Sequence, residues 1–313
     1  ALGVSLMAPI YAQETVDATT ANNQDVEIIQ VKGIRGSLIR AMDTKRESAG
    51  VVDAINSEDI GKFPDTNLAE SLQRITGVSI DRQNGEGSRV TVRGFGADFN
   101  LVTLNGRQLP TNSGLGRSFD FGDVASEGVA GVEIYKTGKA HVPTGGIGAT
   151  INILSVKPLQ NPGMNASFGL KAVNDTSTIT GDKFTPEFSG IYSNTFFDDT
   201  FGVAISGSVQ ERNNGAQSAT TNFFSEVDGG SIRDGVSLDG TQPSDGDIVG
   251  LPRNIVYRLT EIDRTRTNAQ LTLQYKPVEE LTVTLDYTYA EQEVSNRFND
   301  VSYWFAQVPD EVL

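Results

Sequence analysis

Residues 281–290 read LTVTLDYTYA, and their side chains divide by parity. Leu281, Val283, Leu285, Tyr287 and Tyr289 fall on one side; Thr282, Thr284, Asp286 and Thr288 fall on the other. A strand repeats every two residues, so the segment has one wholly apolar face backed by one wholly polar face. A soluble sandwich buries the apolar side, whereas a membrane barrel turns it to lipid and keeps the threonines and the aspartate inside.

Length and connections favour the barrel. Stretches at 165–175, 184–199, 201–212, 266–277 and 281–294 alternate in the same way. Ten residues at about 3.3 Å each, tilted near 45°, cover roughly 23 Å, close to the apolar band of an outer-membrane barrel. The connections at 198–200 and 277–280 are tight, while the stretch from Asn213 to Asp263 is long, polar and Gly-rich. Short turns at one end and long loops at the other mark such barrels. Phe196 and Phe197 beside a tight turn, and Tyr287 and Tyr289 near a strand end, sit where amphipathic rings settle at headgroup level. The apolar faces are therefore expected to point outward.

Composition removes other classes. No run of about 18 apolar residues is present, so no helix of this sequence spans a membrane. A net charge of -15 argues against a nucleic-acid binder, which needs cations against phosphate. There is no cysteine, which excludes thiolate catalysis, disulfides and Cys-bound zinc, and there is one histidine, His141. A lone imidazole makes neither a metal site nor, without a spaced partner, a triad. No catalytic residues, metal ligands or cofactor are expected, and the chain reads as a non-enzyme.

Residues 1–12 look like the tail of a secretory signal peptide, with Ile10-Tyr11-Ala12 as an imperfect cleavage site. Residues 13–42 are read as a polar segment that carries one short apolar run, VEIIQV at 26–31. From 43 to 158 the pattern is that of a compact α+β unit. Helix starts are expected at Ser57 and at Asn67, the latter with Glu70 three residues on as in a capping box. Leu68, Leu72 and Ile75 form one stripe of that helix, and Gly77 ends it. Short strands GVSI, RVTVRGF, LVTLNGRQL, GVEIYKTG and ATINILS follow, with Asn105-Gly106 as a hairpin turn.

The motifs FPDTNLAESLQRITGVSI, RVTVRGFGADFNLVTLNGRQLP and GVEIYKTGKAHVPTGGIGATINILSVKP resemble the plug domain of TonB-dependent outer-membrane receptors, in that family's order and spacing. Their wording is most similar to proteobacterial members linked to oligosaccharide uptake. The resemblance implies an α+β plug followed by an antiparallel transmembrane barrel of about 22 strands. Residues 159–313 supply about five of them, so the barrel is expected to be incomplete in this sequence. It also implies location in the outer membrane of a Gram-negative bacterium, contact with outer-membrane lipid, and no nucleic-acid partner.

By the same resemblance, Val26, Glu27, Ile28, Ile29, Gln30 and Val31 are candidates for the segment that adds as a strand to periplasmic TonB, itself energised by the inner-membrane ExbB-ExbD complex. Strand addition needs free backbone groups and an unstructured flank, and the polar linker supplies the flank. Substrate contacts are expected from three plug loops, through Arg82, Asn84, Asp98, Asn100, Thr111, Asn112 and Arg117. Phe95, Phe99 and Phe119 are aromatic candidates for stacking on a pyranose, with at least two of them expected in the plug core. Arg93 is expected to meet carboxylates of the barrel. The glycines of PTGGIGATINI are expected to let plug backbone pack closely on the barrel wall. The substrate is read as an oligosaccharide, with a ferric siderophore or cobalamin as alternatives within the class. A passive porin-type channel and a secreted β-sandwich carbohydrate-binding protein are the rival classes.

Overall fold

The computed structural model describes residues 4–7, 34–56, 67–111, 116–231 apart from 125 and 127, and 243–305. The helix start expected at Ser57 lies outside them. The chain divides into two units: residues 1–174, 183–212 and 264–293 form the first, and 175–182, 213–263 and 294–313 the second.

In the first unit, a short strand β1 (Val4–Met7) and a helix α1 (Ile34–Glu47) come before the plug sheet. Helix α1 was not foreseen and crosses the boundary expected at 42/43. Its apolar stripe is weak evidence in sequence because Leu38 and Met42 remain more than half exposed. The plug follows as β2 (Val52–Asn56), α2 (Leu68–Leu72), β3 (Val78–Gln83), β4 (Glu86–Val92), β5 (Asn100–Leu104), β6 (Arg107–Gln108), β7 (Val129–Tyr135) and β8 (Ala149–Ser155). The five-stranded sheet runs β2-β7-β8-β5-β6, with β5 and β8 parallel and the other pairs antiparallel. Strands β3 and β4 form a separate hairpin.

Residue chemistry explains these choices. Asn67 caps α2 by accepting from the Glu70 amide, while its own amide donates to the Gly87 carbonyl and ties the helix to β4. The helix is shorter than expected and stops at Leu72; Ile75 is buried beyond its end, and Gly77 takes φ +75° in the turn before β3. Leu68, Leu72, Val90, Val92, Val132, Ile134, Ile151 and Ile153 are at most 2% exposed and form the plug core with Phe121. Asn105 and Gly106 both adopt positive φ, as a two-residue hairpin turn requires.

Five long strands then follow the plug's order in the chain: β9 (Asn165–Asn174), β10 (Phe184–Phe196), β11 (Phe201–Thr220), and, after a small hairpin β12 (Phe224–Asp228) and β13 (Ile248–Pro252), β14 (Asn254–Val278) and β15 (Leu281–Trp304). They lie side by side as β9-β10-β11-β14-β15, with β1 antiparallel to β9 at the outer side. Their polarity is that of a barrel wall. Phe168, Leu170, Phe188, Tyr192, Ile205, Leu285 and Tyr287 are 39–62% exposed, while Thr185, Glu187, Ser193, Arg212, Thr272 and Gln274 on the opposite faces are at most 7% exposed. On β15 the apolar outward run ends at Tyr289 and is followed by Glu291; on β11 it ends at Val209 and is followed by Glu211.

The second unit corrects one expectation. The stretch from Asn213 to Asp263 is not a structureless loop: β11 continues to Thr220, β14 begins at Asn254, and β12 pairs with β13 between them. Here apolar residues fall on both parities, Ile255 and Tyr257 with Val256 on β14 and Phe298 with Val301 on β15, so alternation fades from the sequence while the strands continue. Cross-strand charge pairs take over here, with Arg258 donating twice to Asp300 at 2.7 and 2.8 Å and lying 5.0 Å above the Phe298 ring.

A charged interlock between plug and wall

The hairpin β3–β4 turns through Asn84 and Gly85, both at positive φ, and thereby sets Glu86 at the first position of β4. Glu86 is 3% exposed and faces three arginines of the wall. Its Oε1 lies 3.2 Å from Arg212 Nη1 and also pairs with Arg264 Nη2; its Oε2 accepts from Arg266 Nη2 at 3.1 Å. Arg264 and Arg266 are two residues apart on β14, so strand parity sends both to the inner face. The cluster extends along the wall. Arg212 Nη2 donates to Glu187 Oε1 at 2.6 Å, Lys171 pairs with Glu187 at 3.0 Å, and Arg266 Nη1 donates to Gln210 at 2.8 Å. Buried charge is tolerated only with such pairing, and the planar guanidinium suits carboxylates best.

A second interlock has the opposite polarity. Asp286 of β15 accepts from Lys157 Nζ at 2.7 Å, from Asn105 Nδ2 at 3.2 Å and from Thr272 Oγ1 at 3.0 Å. Here the wall provides the carboxylate and the plug the cation. Arg212 stands eleven residues beyond Phe201, the first residue of β11, and Asp286 five beyond Leu281, the first of β15. At about 3.3 Å per residue and 45° tilt the two levels lie roughly 26 and 12 Å above the tight turns.

Further plug carboxylates approach the upper level. Asp120 accepts from the Gly122 amide at 2.8 Å, and a Cβ on Gly122 would lie 3.5 Å from Arg266 Nη2. Burial, then the neighbouring Asp120, raises the Asp123 carboxyl above its ordinary range, and Arg266 opposes the shift. Deeper in the plug, burial works against the charge of Asp53. Hydrogen bonds from Lys136 and Lys45, with their charges, outweigh it and hold that carboxyl below the usual range.

The expected site residues fall into three groups. Residues 26–31 and Asn112 lie outside the described residues. Arg82 is exposed and pairs with Glu70 at 3.3 Å, and Asn84 forms the hairpin turn. The others lace three plug loops together. Asp98 accepts from the Arg117 and Ser118 amides at 3.0 and 2.8 Å, Arg117 Nη2 donates to the Gly145 carbonyl at 2.7 Å, and Thr111 donates to the Ser118 carbonyl at 2.5 Å. Asn100 is 4% exposed, its amide satisfying the Val90 and Gly96 carbonyls, which puts it inside the plug rather than on a binding surface.

Arg93 Nη2 donates to the plug's own Gly148 carbonyl at 2.7 Å, and among the described residues Glu86 holds the upper contact with the wall. The glycine cluster likewise packs on the plug itself, since a Cβ on Gly148 would strike Asn100 and Phe95. Of the three phenylalanines only Phe119 is buried. Phe95 and Phe99 are 40% and 51% exposed and meet edge to face at 6.4 Å. Glu86 and its arginines were not singled out in sequence. The signal was present in Arg264-Thr265-Arg266, an Arg-x-Arg on the polar face of an alternating strand.

Residues 44–150 match the family model described as the TonB-dependent receptor plug domain. Among solved structures, the chain is similar to the siderophore receptor PirA from Acinetobacter baumannii, at 14% identity over 83% of this chain and 46% of that one, with a TM-score of 0.43. It is similar to the unliganded ferric citrate transporter FecA at 18% identity over 82% and 42%, with a TM-score of 0.47. For the outer-membrane transporter YddB from Escherichia coli the values are 11%, 79% and 39%, and 0.39. The chain spans less than half the length of each of these proteins. Residues 44–150 are thus a TonB-dependent receptor plug domain, and they are followed by strands whose polarity is inverted as in an outer-membrane barrel wall.

Proposed function

We propose that this receptor binds an oligosaccharide outside the cell and admits it to the periplasm when TonB pulls on residues 26–31. The observation that carries the reading is the buried interlock of Glu86 with Arg212, Arg264 and Arg266. A plug held to the wall by desolvated ion pairs resists release, because leaving one partner of a buried pair uncompensated costs about 3–5 kcal/mol. Passage therefore needs energy from outside the barrel, which favours a driven transporter over a passive channel. The exposed Phe95–Phe99 pair supports the substrate class, since two angled rings offer an apolar face to a pyranose.

The test separates binding from import in the full-length receptor. Proline removes the backbone donor that strand addition requires. Ile28→Pro is expected to abolish accumulation of labelled oligosaccharide while leaving surface binding unchanged, and Ile28→Val to be nearly silent. Normal accumulation by Ile28→Pro would remove residues 26–31 from the coupling role.

A further inference from the structure

We propose that Arg212, Arg264 and Arg266 form a carboxylate-binding site on the wall of the passage, occupied at rest by the plug's own Glu86 and taken by a carboxylate of the cargo once the plug moves. The inference rests on the import reading and narrows it: the cargo is an acidic oligosaccharide rather than a neutral one.

Ownership of the charges carries the argument. Among the described residues, the wall strands of this chain contribute four cations at this level, Lys171, Arg212, Arg264 and Arg266, against one carboxylate, Glu187. The balancing carboxylates, Glu86 with Asp120 and Asp123 close by, all belong to the plug. Any motion that withdraws the plug therefore leaves a strongly cationic, inward-facing patch. Among the described residues, Glu187 is then the one wall carboxylate that pairs with these groups, which leaves cations for an anion that enters.

Arg264 and Arg266 also have capacity to spare: both are more than nine-tenths buried, yet the Nε of each lacks a hydrogen-bond partner. With Glu187 engaging Arg212 and Gln210 engaging Arg266, the two oxygens of Glu86 still leave both Nε donors unmet, so a ligand with more acceptors satisfies the site better. The site lies level with the outer end of the apolar band, where Glu211 and Glu291 replace Val209 and Tyr289 on the outward face. Cargo arriving from the long-loop side meets it early.

The experiment needs neither TonB nor transport. Full-length receptor carrying Glu86→Ala is purified in detergent and melted in sodium acetate, sodium phosphate and sodium chloride at matched ionic strength. Truncation removes the resident carboxylate and makes room for a free one. Acetate is expected to raise the melting temperature of Glu86→Ala above its value in chloride by roughly 2–4 °C, with no such difference in the unaltered receptor. Adding Arg264→Gln and Arg266→Gln should abolish the gain. If Glu86→Ala does not fold in chloride, the same comparison is read as refolding yield from urea. Equal values in acetate and chloride overturn the site, and a larger gain in phosphate overturns its assignment to carboxylates. Either result leaves the import reading standing, whereas normal transport by Ile28→Pro faults the coupling without touching the site.

Discussion

Plug and wall are both built from strands of period two, yet they solve opposite problems. In the plug, Val132 and Ile134 of β7 are fully buried, and the apolar positions of β4 and β8 close on the same core. In β15 the equivalent residues, Val283 and Leu285, are 53% and 62% exposed, and the polar Asp286 lies protected on the other face. The same local code therefore has no fixed inside. What sets it is the surroundings: the plug's sheet closes on its own apolar core, whereas hydrocarbon receives the wall's outer face and the plug fills its polar side.

Four experiments can break this contrast or sharpen it. The largest effect is expected from Ile134→Asp, which puts an unpaired carboxylate in the plug core and should cost more than about 4 kcal/mol, unfolding the plug. Proteolysis of the full-length receptor should then digest the plug and spare the wall; a resistant plug would contradict the core assignment. Next comes Leu285→Arg, at the centre of the outward run from Leu281 to Tyr289 and expected to cost about 2–4 kcal/mol. Val283→Arg, nearer the tight turn, should cost only about 0–1 kcal/mol, and the inward Thr284→Arg should be mild. Reversible folding in lipid measures all three, and equal tolerance would mean that the faces are not inverted.

A smaller loss, about 1–3 kcal/mol, is expected from Asp286→Asn, which weakens the lower interlock but leaves hydrogen bonding possible. Urea titration of plug release from the wall would reveal it, and no change would show that Lys157 and Asn105 are held by other means. The smallest effect concerns acid. The carboxyl of Asp53 has a folded pKa below its unfolded value, so its contribution is present above the unfolded pKa and fades as pH falls through the folded one. Plug stability should drop between those limits and do so less in Asp53→Asn. Identical acid profiles would remove the Lys45–Asp53–Lys136 cluster from the account.

Much of this was readable because local chemistry and global fold agree. Asn67 with Glu70 announced a helix start, Asn105-Gly106 announced a turn, and five alternating runs announced five wall strands. Helix α1 was missed because its stripe of Leu38 and Met42 is left largely outside a core, so the usual contrast of faces is faint. Strand β2 was missed because VDAIN is short and acquires its meaning only beside β7. The upper interlock was hidden for a different reason. Glu86 lies 126 residues from Arg212 and 180 from Arg266, and nothing in local spacing joins them. Arg93 and Asn100 carried polar groups suited to barrel or substrate contact, and the fold used both to satisfy plug carbonyls.

The two interlocks of opposite sign act as a polarity key. Were the plug shifted down the wall by the roughly 14 Å that separates the levels, Glu86 would come towards Asp286; shifted up by as much, Lys157 would come towards the arginines. Either shift opposes like charges at one height and leaves the other interlock without its partner, so misregistered seating is penalised while correct seating satisfies both levels. The consequence is for inheritance and engineering alike. A plug grafted from another receptor will seat in this wall only if it brings a carboxylate for the upper level and a cation for the lower, and residues 86, 157, 212, 264, 266 and 286 should be exchanged as one set.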